Sequence, residues 1–211
     1  MPRVRNQRPT NVDYYRRNRE QEIFRVRARQ AGTTEMLREW RQVPCADCGG
    51  RFEPHQMDFD HRDPSTKLFN LMTGRAMLMS TTKLRAEAAK CDVVCVNCHR
   101  LRTQALWIGR PRKGDYSMPS QARRAALWKV QSDLLAALRD VPCADCGGRF
   151  PKAAMDFDHR DPAAKKYTVS RMLLRASTDE ILVEAAKCDV VCANCHRMRT
   201  YRCRESVFER E

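Results

Sequence analysis

Apolar positions along this chain come in short bursts between charged stretches, and their spacing predicts helices joined to small extended segments. Residues 13–30 are Arg-rich, with Tyr14, Tyr15, Ile23, Phe24 and Val26 spaced for a helix, and AGTT at 31–34 breaks that pattern. Met36, Leu37 and Trp40 then fall on one side of a short second helix. Farther along, Leu127, Val130, Leu134 and Leu138 form one apolar helix face behind Ser120, a residue suited to cap the start. Around RFEPHQMDFDH and RFPKAAMDFDH the pattern shortens to extended segments. Helices are expected at about 81–91 and 178–188, the latter with Ser177 and Glu180 spaced as a capping box. A last short helix begins near each NCHR.

The same order is written twice. Residues 43–51 and 141–149 both read VPCADCGGR, an offset of 143 − 45 = 98. EAAKCDVVCVNCHRLRT at 87–103 returns as EAAKCDVVCANCHRMRT at 184–200, an offset of 192 − 95 = 97. The expected fold class is α+β, with two tandem small units each preceded by helices. The expected boundaries are a basic N-terminal helical arm over 1–42, a first unit at 43–106, a linker and helix at 107–140, a second unit at 141–203 and a tail at 204–211. Units of about 60 residues bury little core, so each needs a staple. IGRPRKGDYSMPS at 108–120, with its Gly, Pro and basic residues, reads as an exposed connector.

Charge changes the picture next. Lys plus Arg number 40 against 26 Asp plus Glu, a formal net charge of +14, and 31 of the cations are Arg. Arginine's planar fork suits bidentate phosphate contacts, so a polyanion, and DNA first, is the expected partner. Residues 1–42 hold 11 Arg and 5 acids, an arm expected to lie on backbone phosphate through Arg16, Arg17 and Arg19, its first dozen residues disordered when free. MPRVRNQRPT has no apolar core, so it does not read as a secretory signal, and no apolar run approaches the roughly 20 residues that span a bilayer. Eight of the 11 cysteines stand in CxxC pairs, which favours metal over disulfides and a reducing cytoplasm, bacterial or phage-infected.

Two CxxC hooks supply the four thiolates of a closed tetrahedral zinc site. In the first unit they are Cys45, Cys48, Cys95 and Cys98, and in the second Cys143, Cys146, Cys192 and Cys195. The glycines of CADCGG allow a tight turn that faces backbone amides toward the sulfurs. Between the hooks lie 46 residues in one unit and 45 in the other, so each zinc closes a long loop. Cys91 and Cys188, four residues ahead of a zinc cysteine, are expected to be buried apolar side chains instead of ligands.

Four of the five histidines belong to the repeated motifs. Phosphodiester hydrolysis needs a base for water, a cation on the scissile phosphate and stabilisation of the leaving oxygen. A free imidazole exchanges its proton near neutral pH, so His61 can serve as that base, and Asp60 beside it offers a hard oxygen for Mg2+ or Mn2+. Adjacent strand residues point to opposite faces, so both serve one site only where the backbone twists or bulges. His99 follows Cys98, where zinc fixes the backbone that aims it.

CADC…DFDHRDP…CVNCHR resembles the HNH, or ββα-metal, endonucleases with a four-cysteine zinc site, and is similar to the subgroup that includes recombination endonuclease VII. The resemblance covers both units, about 120 residues, and implies a catalytic divalent metal on Asp60 and His99, with His61 activating water. In the second unit it assigns Asp158 and His196 to the metal and His159 to the base. The middle Asn of the pattern, which holds the His-bearing loop in shape, has no counterpart: Lys90 and Lys187 occupy its place, while Asn97 and Asn194 lie inside the hooks. Asp58, Asp63, Asp156 and Asp161 are expected to be structural, with Asp63-Pro64 a turn. Arg62, Arg100, Arg160 and Arg197, beside the motifs, are candidate nucleic-acid contacts, Arg62 and Arg160 with an aspartate of the cluster as the other option. The expected function is a metal-dependent endonuclease whose two sites imitate a dimer. The alternatives are a zinc-held nucleic-acid-binding protein without chemistry, or a chain with only one active unit.

Overall fold

The computed structural model describes residues 11–74, 76–107 and 119–208. The expected disorder of the first dozen residues and the connector at 108–120 therefore lie almost wholly outside the described residues, as does the Ser120 side chain. Among the described residues, six α-helices and four short strands follow one order twice: helix, strand, helix, strand, helix. The helices are α1 (Asn11–Glu39), α2 (Thr81–Ala88), α3 (Val96–Trp107), α4 (Pro119–Leu138), α5 (Thr178–Ala185) and α6 (Ala193–Phe208). Strands β1 (Met57–His61) and β2 (Cys91–Cys95) form one two-stranded sheet, and β3 (Met155–His159) and β4 (Cys188–Cys192) form another. The mixed α+β class expected from the sequence is the class observed.

The first compact unit combines the described part of Met1–Val43 with Phe59–Val93. Helix α1 runs through residues 31–34 without a break, so the two helices expected there are one. The Thr34 hydroxyl donates to the Gln30 carbonyl (2.8 Å) inside the helix, and one glycine costs a helix only about 1 kcal/mol. The single non-helical residue is Asn18 (φ −112°, ψ 16°), whose side-chain amide donates to the Tyr14 carbonyl (2.8 Å). The C-terminal end of α1 supplies Leu37 to a core with Leu71, Ala76, Leu84 and Cys91, flanked by Met36, Trp40 and Phe69. Its N-terminal part leaves Tyr14, Tyr15 and Phe24 exposed.

The second unit combines Pro44–Asp58 with Val94–Glu211. Its core packs Leu135 of α4 against Val169, Met172, Ile181, Ala185 and Cys188. Ser177 caps α5: its hydroxyl accepts the Glu180 N–H (3.2 Å), and Glu180 Oε2 accepts the Ser177 N–H (2.8 Å), the expected box. Helix α4 buries the expected face only in part: Leu138 packs against this core and Leu134 is half-buried, but the N-terminal half of the helix turns another side inward. Leu127 and Val130 are 45% and 60% exposed, whereas Gln131 and Leu135 are buried. The reason is polar: the Gln131 amide donates to the Ala176 carbonyl (2.9 Å), and its oxygen accepts the Leu174 N–H (2.8 Å). Leu174 has φ 63°, a strained conformation for a branched residue, and Gln131 clamps the turn that requires it.

The likeness of the two halves extends into the helix ahead of each. Leu37 and Leu135 (135 − 37 = 98) fill equivalent core positions at 0% and 1% exposure, and Thr33 and Gln131 (131 − 33 = 98) are both buried. Strands β2 and β4, absent from the expected element order, are the CDVVC segments, whose paired valines suit a half-buried ribbon.

Candidate metal centres and the pocket beside them

Each CADCGG hook folds as a tight turn. The Gly49 N–H donates to the Cys45 carbonyl and the Cys45 N–H to the Gly50 carbonyl, both at 2.9 Å, and Gly147 and Gly148 repeat this around Cys143. Gly49 and Gly147 sit at φ 67° and 68°, where a side chain is strained. A Cβ on Gly50 or Gly148 would meet the Phe52 or Phe150 ring at 2.8 Å, so a larger residue there must displace that ring. The second hook of each set lies where a strand runs into a helix, β2 into α3 and β4 into α6.

The four sulfurs of Cys45, Cys48, Cys95 and Cys98 lie within 4.8 Å of one another, as do those of Cys143, Cys146, Cys192 and Cys195. Tetrahedral zinc with bonds of about 2.3 Å separates its sulfurs by roughly 3.8 Å, so both sets fit a structural zinc ion. Backbone amides prepare the sites. The Cys95 N–H donates to Cys45 Sγ (3.2 Å) and the Cys192 N–H to Cys143 Sγ (3.1 Å). Burial pushes the Cys143 thiol up, but the N–H groups of Cys146, Cys192 and Asp145 outweigh it and hold the thiol down at about 7. Burial and the neighbouring Cys192 drive the Cys195 thiol far up, and burial with Cys95 does the same to Cys98. Four thiolates at this spacing repel one another, and a divalent cation is the group that offsets that repulsion. Cys91 and Cys188 stand outside both sets, buried, with their thiols pushed up to about 11 by desolvation.

The first turn of α6 carries His196 beside the second metal set, and all parts of the pocket there belong to one unit. His196 Nδ1 lies 2.8 Å from Asp156 Oδ2. A carboxylate only accepts, so Nδ1 carries a proton, and Nε2 faces Asp158 Oδ1 at 3.5 Å. The Asp156 hydrogen bond raises the His196 pKa, against the effect of burial. Burial raises the Asp156 carboxyl, but His196 and Arg100 outweigh it and hold it at about 2. Asp158 Oδ2 accepts from Arg199 (3.2 Å), which also bonds Asp189 (3.0 Å) and, by two nitrogens, Asp145 of the hook. Arg199 thereby links the metal turn to the pocket carboxylates.

His159 turns elsewhere. Strand β3 pairs with β4 in continuous antiparallel register from Met155↔Cys192 to His159↔Cys188, so no bulge brings Asp158 and His159 to one face. Asp156 and Asp158 face α6, and His159 faces α5. There its Nε2 lies 2.9 Å from Glu184 Oε1, both side chains nearly buried, which puts the proton on Nε2 and the lone pair on Nδ1. Glu184 also accepts the N–H groups of Lys166 (2.8 Å) and Tyr167 (3.1 Å) and the Lys187 ammonium (2.7 Å). Lys187 donates in turn to the Ala164 carbonyl (3.1 Å). Lys187 thus ties the loop after the Asp-His pair to Glu184. The first repeat writes the same network: Glu87 accepts from His61 (2.8 Å), Leu68 N–H (2.7 Å) and Lys90 (2.7 Å), and Lys90 reaches the Thr66 carbonyl (3.0 Å). Sequence reasoning missed Glu87 and Glu184, although their repetition in EAAKC was the available signal.

Other expected residues are placed as follows. Asp60 and His61 fall in the first unit and His99 in the second, where its Nδ1 meets Asp58 Oδ2 at 2.9 Å. His99, Asp58, Arg100 and Arg197 line a cleft of about 480 Å3. Asp63 caps the turn at Pro64–Thr66 through the Ser65 N–H (2.9 Å), and Asp161 does the same for Ala163 (2.8 Å). Arg62 and Arg160 donate to the Cys91 and Cys188 carbonyls (2.8 Å each), to Asp92 and Asp189, and to the C-cap carbonyls that follow α2 and α5. Carbonyls at a helix end draw cations, which explains that choice. Arg100 and Arg197 bond Asp156 and Asp58. Arg16, Arg17 and Arg19 lie exposed on α1. No helix among the described residues is long and apolar enough to cross a membrane. Comparison with protein-family models, with curated proteins and with solved structures returned no match to this chain.

Proposed function

We propose that the chain is a metal-dependent endonuclease of the HNH type, acting on DNA from the cytoplasm of a bacterial or phage-infected cell. The observation that carries this reading is the His196–Asp158 pair. An imidazole whose far nitrogen is fixed by a carboxylate places its other nitrogen 3.5 Å from a second carboxylate oxygen, beside a zinc-binding turn. Neighbouring ligands in an octahedral shell of ~2.1 Å bonds stand roughly 3 Å apart, so the pair fits Mg2+ or Mn2+ with small adjustment. Asp158 and His196 would hold that ion, and Asp60 and His99 are the corresponding residues of the first repeat. When bound, it supplies charge neutralisation at the scissile phosphate and the leaving oxygen. His159 takes the proton of water at Nδ1, while Glu184 holds the opposite nitrogen protonated and the ring in place. The exposed Arg16, Arg17 and Arg19 meet backbone phosphate.

A second reading is a zinc-held nucleic-acid-binding protein without chemistry, and the placement of His159 on the face opposite Asp158 favours it. The two part on one experiment. Zinc-loaded protein is incubated with supercoiled plasmid and Mn2+ or Mg2+, beside the His61→Ala/His159→Ala double variant. The nuclease reading expects nicking by the parent and none by the variant at unchanged zinc content. Binding without nicking, or equal nicking by both proteins, rejects it.

A further inference from the structure

The two repeats meet inside the second unit through contacts that come in exchanged pairs. The Asn97 N–H donates to Asn194 Oδ1 (3.1 Å) and the Asn194 N–H to Asn97 Oδ1 (3.0 Å). Arg100 of the first repeat donates to Asp156 Oδ1 of the second (2.6 Å), and Arg197 of the second donates to Asp58 Oδ1 of the first (2.5 Å). Residue i touching j while j's counterpart touches i's counterpart is the geometry of a two-fold interface.

The aspartates do more than close this interface. Asp156 gives Oδ1 to Arg100 and Oδ2 to His196 Nδ1 (2.8 Å). Asp58 receives Arg197 at Oδ1 and, more weakly, at Oδ2 (3.2 Å), and Oδ2 also holds His99 Nδ1 (2.9 Å). Each carboxylate is thus oriented by the arginine of one repeat and orients the histidine of the other. Arg197 follows His196 directly in the chain, yet its guanidinium serves the aspartate behind His99. The side chains of Asp58 and Asp156 are 14% and 20% exposed, so water replaces a lost guanidinium poorly.

We propose that the two histidine pockets are wired crosswise: Arg100 is the positioning residue for His196 and Arg197 the positioning residue for His99, each through the intervening aspartate. The consequence is that neither pocket is complete within its own repeat. A carboxylate free to turn about its last torsion no longer pins the ring, and loss of such an outer partner typically costs about 10- to 100-fold in metal affinity or activity.

The inference rests on the nuclease reading for its first test and stands apart from it in the second. In a His61→Ala background, which leaves the second pocket as the competent one, Arg100→Ala lowers nicking about 10-fold or more and costs clearly more than Arg197→Ala. In a His159→Ala background the order reverses. Arg100→Lys, which keeps a cation, recovers part of the loss, and every variant retains two zinc ions. Equal losses, or losses that follow the repeat carrying the substitution, overturn the crosswise arrangement. Where the parent cuts no DNA, the nuclease reading falls and histidine-ring NMR of the zinc-loaded full chain at fixed pH decides. Arg100→Ala must then displace the His196 signals more than those of His99, its immediate chain neighbour, and Arg197→Ala the reverse. Displacement confined to the adjacent histidine overturns the proposal.

Discussion

Replacing Glu184 by Gln isolates the carboxylate that holds His159. The side chain is 3% exposed and accepts from four donors: His159 Nε2, the N–H groups of Lys166 and Tyr167, and the Lys187 ammonium. Glutamine keeps the shape and the oxygen that receives three of them. It sets an NH2 group against Lys187, so one charge-assisted bond worth about 2 kcal/mol is lost and a buried donor pair costs roughly 1 kcal/mol more. The expected destabilisation is about 3 kcal/mol at pH 7, read from urea unfolding midpoints at matched zinc content. Its pH dependence has a fixed sign. Burial raises this carboxyl, but Lys187 and the Tyr167 amide outweigh it and hold it at about 2, below its ordinary 4.5. A depressed folded pKa contributes stability that is complete above the unfolded value and drains as pH falls from 4.5 toward 2. Glutamine does not titrate, so the gap between parent and variant narrows across that window. A gap under about 1 kcal/mol at pH 7, or one that stays constant between pH 4.5 and 3, refutes the account.

Three further outcomes follow from the packing and the metal sets. Leu135→Ala should cost about 2–5 kcal/mol while Leu127→Ala stays within roughly 0.5 kcal/mol, because α4 buries the first and exposes the second; similar costs in thermal unfolding would contradict that helix face. Cys195→Ser should lower bound zinc from two ions per chain to one by atomic absorption, since the sulfur sets are separate, and retention of two would show that Cys195 is no ligand. Gly147→Ala should cost about 1–2 kcal/mol, the strain of a left-handed residue at φ 68°, and speed zinc loss to a chelator; unchanged loss would mean that the turn does not shape the metal set.

The sequence made the covalent-scale features readable and hid the ones decided by three-dimensional competition. CxxC pairs at nearly equal spacing told of two four-sulfur sets, because thiolate chemistry depends on residue type alone. The Ser177/Glu180 box was readable because capping is local. The face of α4 was not: Leu127 and Val130 matched helical spacing as well as Leu135 did, and the choice was made by the distant Leu174 turn, which needs the Gln131 amide. Continuity of α1 through AGTT was hidden for a similar reason, since buried Thr33 and core Leu37 outweigh weak local propensity. Within the pocket, the side chains beside the zinc turn were named, but Glu184 was not, and Asp156 and Arg100 were named without their orienting role. Glu184 lies 25 residues from His159, and Arg100 lies 56 from Asp156, separations that no short motif reports.

The paired exchange of Asn97 with Asn194 has a consequence for how the protein behaves at low concentration. Two copies of a single repeat joined by such contacts would come apart on dilution, and any property that needs both would fade with them. Carried on one polypeptide, the partners are held at an effective concentration set by the tether, so the association survives however few molecules are present. The same tether frees each half to accumulate changes of its own, as a true pair of identical subunits never can.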